Sequence, residues 1–161
     1  MSEKERDHER FVKHLNASKH GVWLVAEWLN DKGYDVTVTA NTVSKGYEDR
    51  MEHVDRGDLY IQKVGEEKHR VEVKSLGAEF TCEWEWQFGN QLIVWAKHSF
   101  DNAVPKPYRY TLLNHKKTHA IVIKGEDHGK WWVKEYPDKR YENMVQKFYI
   151  SSVKDVKFIK L

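Results

Sequence analysis

The fold follows from residues 58–75, which read DLYIQKVGEEKHRVEVKS. Two segments in this stretch, 58–63 and 69–75, contain the β-branched and aromatic residues typical of strands. Between them, Val64-Gly65-Glu66-Glu67 supplies turn chemistry. The stretch is therefore predicted to form a β-hairpin.

Alternation of side chains across each strand predicts which residues of the hairpin share a face. The apolar residues that would share the buried face are Leu59, Ile61, Val71 and Val73. Burying them together pairs Leu59 with Val71 or Val73, and hence Asp58 with Glu72 or Lys74. The residues collected on the opposite face are Asp58, Tyr60, Arg70, Glu72 and Lys74. Two carboxylates and an ammonium group are thus predicted to converge on one small patch.

Such a patch has a chemical use. Two carboxylates bind a hard cation such as Mg²⁺ and leave room for waters and a phosphate. The metal polarises oxygens bonded to phosphorus and lowers the pKa of a coordinated water, and a nearby lysine orients that water or offsets negative charge. These groups suit phosphodiester hydrolysis. The alternative is a solvent-facing strand with mixed charges, which stabilises a fold little.

Flanking segments predict the elements around the hairpin. A helix is expected over 21–32 from apolar residues at three- and four-residue spacing, ending at Gly33. Residues 1–10 either fray or extend a first helix through Phe11, Val12 and Leu15. A strand is expected over 34–40, and a polar loop with a possible helical turn over 41–56.

The second half of the chain is predicted to be β-rich. Residues 83–98 suit either a buried helix or extended structure, and their alternation favours the extended form. Further strands are expected over 108–113, 119–124 and 131–136, with one or two more within 147–161. No linker or repeat divides the chain, so a single domain over residues 1–161 is expected.

Asp58, thirteen intervening residues and then Glu72-Val73-Lys74 resemble the motif of the PD-(D/E)XK nuclease superfamily. The order helix, strand and two motif-bearing strands is similar to the αβββ core of that superfamily. The resemblance implies an α/β, restriction-endonuclease-like fold with a mixed sheet. Gly57 stands where the family usually has proline, and the helix that normally follows the ExK strand is not evident here.

The resemblance also implies a function and a set of site residues. Asp58 and Glu72 would be metal ligands, the Val73 carbonyl a further ligand, and Lys74 the catalytic lysine. Glu27 matches a helix carboxylate found in many members, although it also suits a solvated helix face. The implied activity is hydrolysis of DNA with Mg²⁺ or Mn²⁺. The alternative is a non-catalytic module that binds nucleic acid or protein on the same or another β-rich fold.

Basic and aromatic residues outside the motif are candidates for contacts with DNA. A phosphate-contacting surface would include Lys116, Lys117 and Arg109 together with Lys106, Lys130, Lys139 and Arg140; the alternative is a solvated basic face. Ser75 either touches a phosphate or ends its strand. One or two of Trp84, Trp86, Trp95, Trp131 and Trp132 are expected to be exposed for base stacking.

Composition narrows the remaining choices. The 161 residues include 27 Lys and Arg against 25 Asp and Glu, so the near-neutral charge favours local, metal-bridged contact with DNA over a broad basic coating. Lone Cys82 excludes an internal disulfide framework. No signal-like or membrane-length apolar run is seen, so a cytoplasmic location without a membrane partner is expected. Junction-resolving members of the superfamily are usually dimers, which leaves a homodimer open.

Overall fold

The computed structural model describes residues 2–39, 58–137 and 144–161. These residues form an α/β structure with three layers: a long helix, a six-stranded mixed sheet, and a three-stranded antiparallel sheet. A helix followed by a mixed sheet, with a β-rich second half, is the class expected from the sequence. None of the described helices is both long enough and apolar enough to span a membrane.

The six-stranded sheet has the spatial order β1-β2-β3-β5-β6-β9. Its strands are β1 (Asp35–Val38), β2 (Leu59–Gln62), β3 (His69–Ser75), β5 (Arg109–Leu113), β6 (His119–Lys124) and β9 (Lys157–Lys160). Neighbours pair antiparallel except β3 and β5, which are parallel. Strands β1, β3 and β5 therefore run in the same direction, and their carboxyl ends lie at the same end of the sheet.

The second sheet is built from the chain between and after these strands. It has the order β4-β8-β7, from β4 (Leu92–Ala96), β8 (Val145–Ser151) and β7 (Trp132–Pro137). A short helix, α2 (Lys97–Asn102), follows β4 directly. The predicted strand at 131–136 thus exists, but it belongs to this second sheet.

Helix α1 (Glu3–Asp31) begins well before the predicted start, so the amino-terminal residues extend the helix. Ser2 and Glu5 form a capping box that satisfies amides of the first turn. At the other end the chain turns at Gly33, whose φ of +94° favours glycine. The predicted C-terminal boundary is therefore confirmed to within one residue, with Asp31 as the last helical residue.

Two apolar cores lie on the two faces of the six-stranded sheet. One core packs α1 against the hairpin and contains Val22, Val25, Ala26, Leu29, Leu59, Ile61, Val71 and Val73. The other packs the sheet against the second sheet and contains Phe80, Leu92, Val94, Phe100, Tyr110, Leu112, Ile121 and Ile123. Strand β3 is therefore covered on both faces, as strands with a parallel neighbour usually are.

The local predictions compare closely with this architecture. The hairpin and the strands near 34–40, 108–113, 119–124 and 147–161 are confirmed. Within 83–98 the extended interpretation is confirmed for residues 92–96, after a single 3-10 turn at Glu83–Glu85. The predicted polar loop at 41–56 lies outside the described residues.

Candidate active site

The register of the hairpin sets the geometry of the predicted site. Leu59 pairs with Val71, which is the first of the two predicted alternatives. Continuing that register by one residue brings Asp58 opposite Glu72. This point lies at the middle of β3 and beside the second residue of β5, Tyr110.

Asp58 contacts the backbone of the neighbouring strand. Its Oδ2 accepts a hydrogen bond of 2.8 Å from the Val73 amide. Strand β2 begins at Leu59, so the carboxylate takes the place of a strand partner for this amide. A strand residue directs its amide and carbonyl to the same side, and the Val73 carbonyl therefore also points toward Asp58. Carboxylate and carbonyl oxygens thus share one edge of β3.

Glu72 is buried and forms an ion pair on its own strand. Arg70 Nε donates to Glu72 Oε1 at 2.6 Å, and both side chains are less than a tenth exposed. Val71 and Val73 face α1, so alternation turns Arg70 and Glu72 toward the second sheet. The guanidinium Nη1 also reaches the Pro105 carbonyl at 3.5 Å. Arg70 therefore orients the carboxylate that the sequence assigned to metal binding.

Tyr110 lies beside this pair and was not anticipated. It is the direct neighbour of Glu72 on the parallel strand β5, and it is fully buried. Its hydroxyl has no hydrogen-bond partner within the described part of the chain. Burial raises the pKa of the Tyr110 phenol, Glu72 raises it further, and Arg70 partly offsets this. Tyr110 therefore stays neutral and adds no charge to the site.

Lys74 is the exposed member of the motif. Alternation along β3 places it on the same face as Glu72, and its Nζ lies 6.0 Å from the centre of the Trp95 ring. The side chain is exposed, unlike the buried Glu72. Asp58, Glu72 and Lys74 therefore lie in one part of the hairpin, with Glu72 buried, Asp58 partly exposed and Lys74 exposed.

Glu27 lies elsewhere. It is exposed on α1 and lines a groove with Trp23, Asn30 and Val36, on the β1 side of the helix. Among the residues described, no group of three or more His, Cys, Asp or Glu side chains is arranged to hold a metal. Glu27 is thus not grouped with Asp58 and Glu72, because the helix packs on the face of β3 opposite Glu72.

The predicted phosphate contacts fall at two ends of the sheet. Lys116 and Lys117 occupy the turn between β5 and β6, at the same end as Lys74. Arg109 begins β5 at the opposite end, where its guanidinium stacks 3.9 Å from the Tyr108 ring centre. The five residues of β5 separate these cations, so they do not form one surface. Lys139 and Arg140 lie outside the described residues.

Packing against the two cores decides whether Ser75 and the tryptophans are buried or exposed. Ser75 is the last residue of β3, and its hydroxyl is buried toward Gly21 of α1. The Ser75 hydroxyl therefore does not reach the surface. Trp84 is largely exposed and Trp132 is partly exposed, whereas Trp86, Trp95 and Trp131 pack against the second core.

No family model, curated protein or solved structure matches the chain.

The oxygen donors beside the middle of β3 suit a hard cation in chemical type. Asp58 and Glu72 carry carboxylate oxygens, and the Val73 carbonyl lies on the same edge of β3 as Asp58. Oxygen donors of this kind are the ligands that Mg²⁺ and Mn²⁺ prefer. Mg²⁺ usually binds few protein oxygens and retains several waters, so two carboxylates and one carbonyl are a suitable number of protein ligands.

Proposed function

We propose that this protein is a metal-dependent nuclease of the PD-(D/E)XK type that hydrolyses phosphodiester bonds in DNA. The observation that carries the proposal is the hydrogen bond from the Val73 amide to the Asp58 carboxylate, which sets Asp58 against the Glu72-Val73-Lys74 strand. The two parts of the motif lie in neighbouring segments of one hairpin, and this bond joins them beside the middle of β3.

The topology supports the same assignment. A helix, an antiparallel β1-β2-β3 meander and a strand parallel to β3 resemble the restriction-endonuclease-like core. The main departure lies between β3 and β5, where β4 and the six-residue α2 stand in place of the usual helix. This segment packs on the face of β3 that carries Glu72, so it covers the same side of the sheet.

Each motif residue has a distinct role in this proposal. Asp58, Glu72 and the Val73 carbonyl would hold Mg²⁺ or Mn²⁺, which when bound polarises the scissile phosphate and acidifies a water. Arg70 positions the Glu72 carboxylate through its 2.6 Å bond. Lys74 extends into solvent, where its ammonium group can offset negative charge on the phosphate. Lys116 and Lys117 at the same end would contact neighbouring phosphates.

The second candidate is a non-catalytic nucleic-acid-binding module. The buried Arg70–Glu72 pair favours it, because Arg70 already neutralises the charge of Glu72 without a metal. The two candidates differ in one respect: only a nuclease requires a divalent cation for a chemical step.

The deciding experiment is a cleavage assay on single-stranded, duplex and branched DNA and on RNA, with Mg²⁺, Mn²⁺ or EDTA. Cleavage of DNA is expected with either metal, leaving 5′-phosphates as the resemblance implies, and none in EDTA. Lys74→Met should remove cleavage. The matched control is Lys68→Met, an exposed lysine in the hairpin turn that lies over the Tyr60 ring.

A folded protein that binds DNA without cleaving any substrate would support the binding module instead. Size-exclusion chromatography of the same sample tests whether the chain forms the homodimer that the resemblance leaves open.

A further inference from the structure

A second site lies at the opposite end of the sheet from Lys74. A cavity of about 360 Å³ opens beside the C-terminal end of α1, between the helix and the first residues of β3 and β5. Its floor is apolar and is formed by Leu29, Ile61 and Val71. The volume is within the range of small-molecule sites, which combine an apolar lining with a few polar groups.

The charged residues around this cavity are all basic. Lys32 from the end of α1, Lys63 from the hairpin turn and Arg109 from the start of β5 line it, and no described Asp or Glu does. Cations converging from three segments of the chain create a local positive potential that attracts an anion.

Each of the three lining cations lies over an aromatic ring of the same cavity. Arg109 stacks on Tyr108 at 3.9 Å, Lys63 lies 4.6 Å from Tyr34, and Lys32 lies 6.0 Å from Trp28. These contacts hold the cations at the wall of the cavity, where they remain available to an anion. When Lys32 and Lys63 turn from these rings to a bound phosphate, the uncovered faces of Trp28 and Tyr34 offer flat apolar surface to a planar base.

We propose that this cavity binds a nucleotide, with the base against the rings of Trp28 and Tyr34 and the phosphate paired with Lys63 and Arg109. Cations alone would suit any anion, and aromatic rings alone would suit any planar molecule. Their combination over an apolar floor fits a ligand that carries both a phosphate and a base. The nucleotide is either free or the 5′-phosphorylated end of a DNA strand.

This site is separate from the proposed catalytic residues. Val71 lines the cavity on the α1 face of β3, whereas Glu72 and Lys74 lie on the other face. Nucleotide binding therefore needs no divalent cation and does not depend on the nuclease proposal.

The test is calorimetric titration in EDTA, using the Lys74→Met protein so that no cleavage can occur. The ligands are AMP, adenosine, inorganic phosphate, and a short single-stranded oligonucleotide with and without a 5′-phosphate. AMP or the phosphorylated strand is expected to bind at least about tenfold more tightly than adenosine, phosphate or the unphosphorylated strand. Preference between AMP and the phosphorylated strand identifies the source of the nucleotide.

Two further variants in that background locate the site. Lys63→Met should weaken nucleotide binding by about tenfold or more, and Lys68→Met should leave it unchanged. Both lysines belong to the same hairpin turn and each lies over a tyrosine ring, but only Lys63 lines the cavity. Absence of saturable binding by AMP and by the phosphorylated strand would overturn the proposal, as would equal affinity in the two variants.

Discussion

Arg70 and Glu72 form a buried ion pair two positions apart on β3, with Arg70 Nε 2.6 Å from Glu72 Oε1. Strand alternation places both side chains on the face that the second sheet covers, next to Tyr110. The pair thus links the proposed catalytic strand to the second core. It gives Glu72 a structural role in addition to the proposed metal-binding role.

Removing one partner of this pair is expected to destabilise the fold strongly. Arg70→Met leaves the Glu72 carboxylate buried without its guanidinium, and Glu72→Met leaves Arg70 in the same position. Each single change should lower the free energy of unfolding by about 3–5 kcal/mol, which urea denaturation can measure.

The double variant Arg70→Met with Glu72→Met should recover much of this loss, because no unpaired charge remains. Additive losses in the double variant would show that the two side chains do not act as a pair.

Two substitutions at Asp58 should separate its structural role from its proposed metal-binding role. Asp58→Ala removes the acceptor for the Val73 amide and should cost about 1–3 kcal/mol of stability. Asp58→Asn keeps a carbonyl acceptor and removes the charge. It should therefore unfold at nearly the same urea concentration as the wild type but show no metal-dependent cleavage.

Urea denaturation and the cleavage assay together provide the measurement. Full cleavage by Asp58→Asn would rule out the carboxylate as a metal ligand.

Gly125 is expected to tolerate no side chain. A Cβ at this position would lie 1.9 Å from the Pro107 carbonyl oxygen, so the backbone entering β5 would have to move. Gly125→Ala should lower the stability by about 1–3 kcal/mol or more.

Gly129 is the matched control, since it lies in the same 3-10 segment and a Cβ added there would meet no atom within 4 Å. Gly129→Ala should be neutral or slightly stabilising in thermal denaturation. Equal effects of the two alanines would contradict the close approach of Gly125 to Pro107.

The Asp101 carboxyl is expected to have a pKa below its ordinary value. Hydrogen bonds from Lys97 and then from Tyr149 hold the pKa of its carboxyl below the ordinary value. A lowered folded-state pKa stabilises the fold above the ordinary pKa, and this stabilisation is lost as the pH falls through the lowered pKa.

Measurement of the Asp101 carboxyl pKa by NMR checks the assignment of causes. The variants Lys97→Met and Tyr149→Phe each remove one donor, so each should raise the Asp101 pKa toward its ordinary value. Lys97→Met should raise it more than Tyr149→Phe. The reverse order would show that the tyrosine is the dominant donor.

Local physical chemistry was enough to predict the hairpin and its two faces. A Gly-containing turn between β-branched segments determines the hairpin, and burial of Leu59 with Val71 orients every other side chain on both strands. The approach of Asp58 to Glu72 follows from that register. Local patterns leave Leu59 opposite either Val71 or Val73, and the tertiary structure selects Val71.

Other features depend on residues far apart in the chain. The sequence leaves open whether the amino-terminal residues are helical, because the first half of α1 carries a capping box but little apolar periodicity. The departure of Glu27 from the site reflects the face of β3 on which α1 packs, which no local pattern specifies. Composition groups Arg109 with Lys116 and Lys117, but Arg109 begins β5, whereas both lysines lie in the turn after β5 ends.

The amino-acid sequence alone was sufficient for the α/β class and for the hairpin that carries Asp58, Glu72 and Lys74, because turn chemistry and alternation act between near neighbours. The parallel pairing of β3 with β5, the burial of Glu72 beside Tyr110 and the basic cavity at Arg109 emerge only in the folded chain. These three features depend on contacts between segments that are distant in sequence. Many alternative strand pairings satisfy the same local pattern, so the local pattern does not specify them.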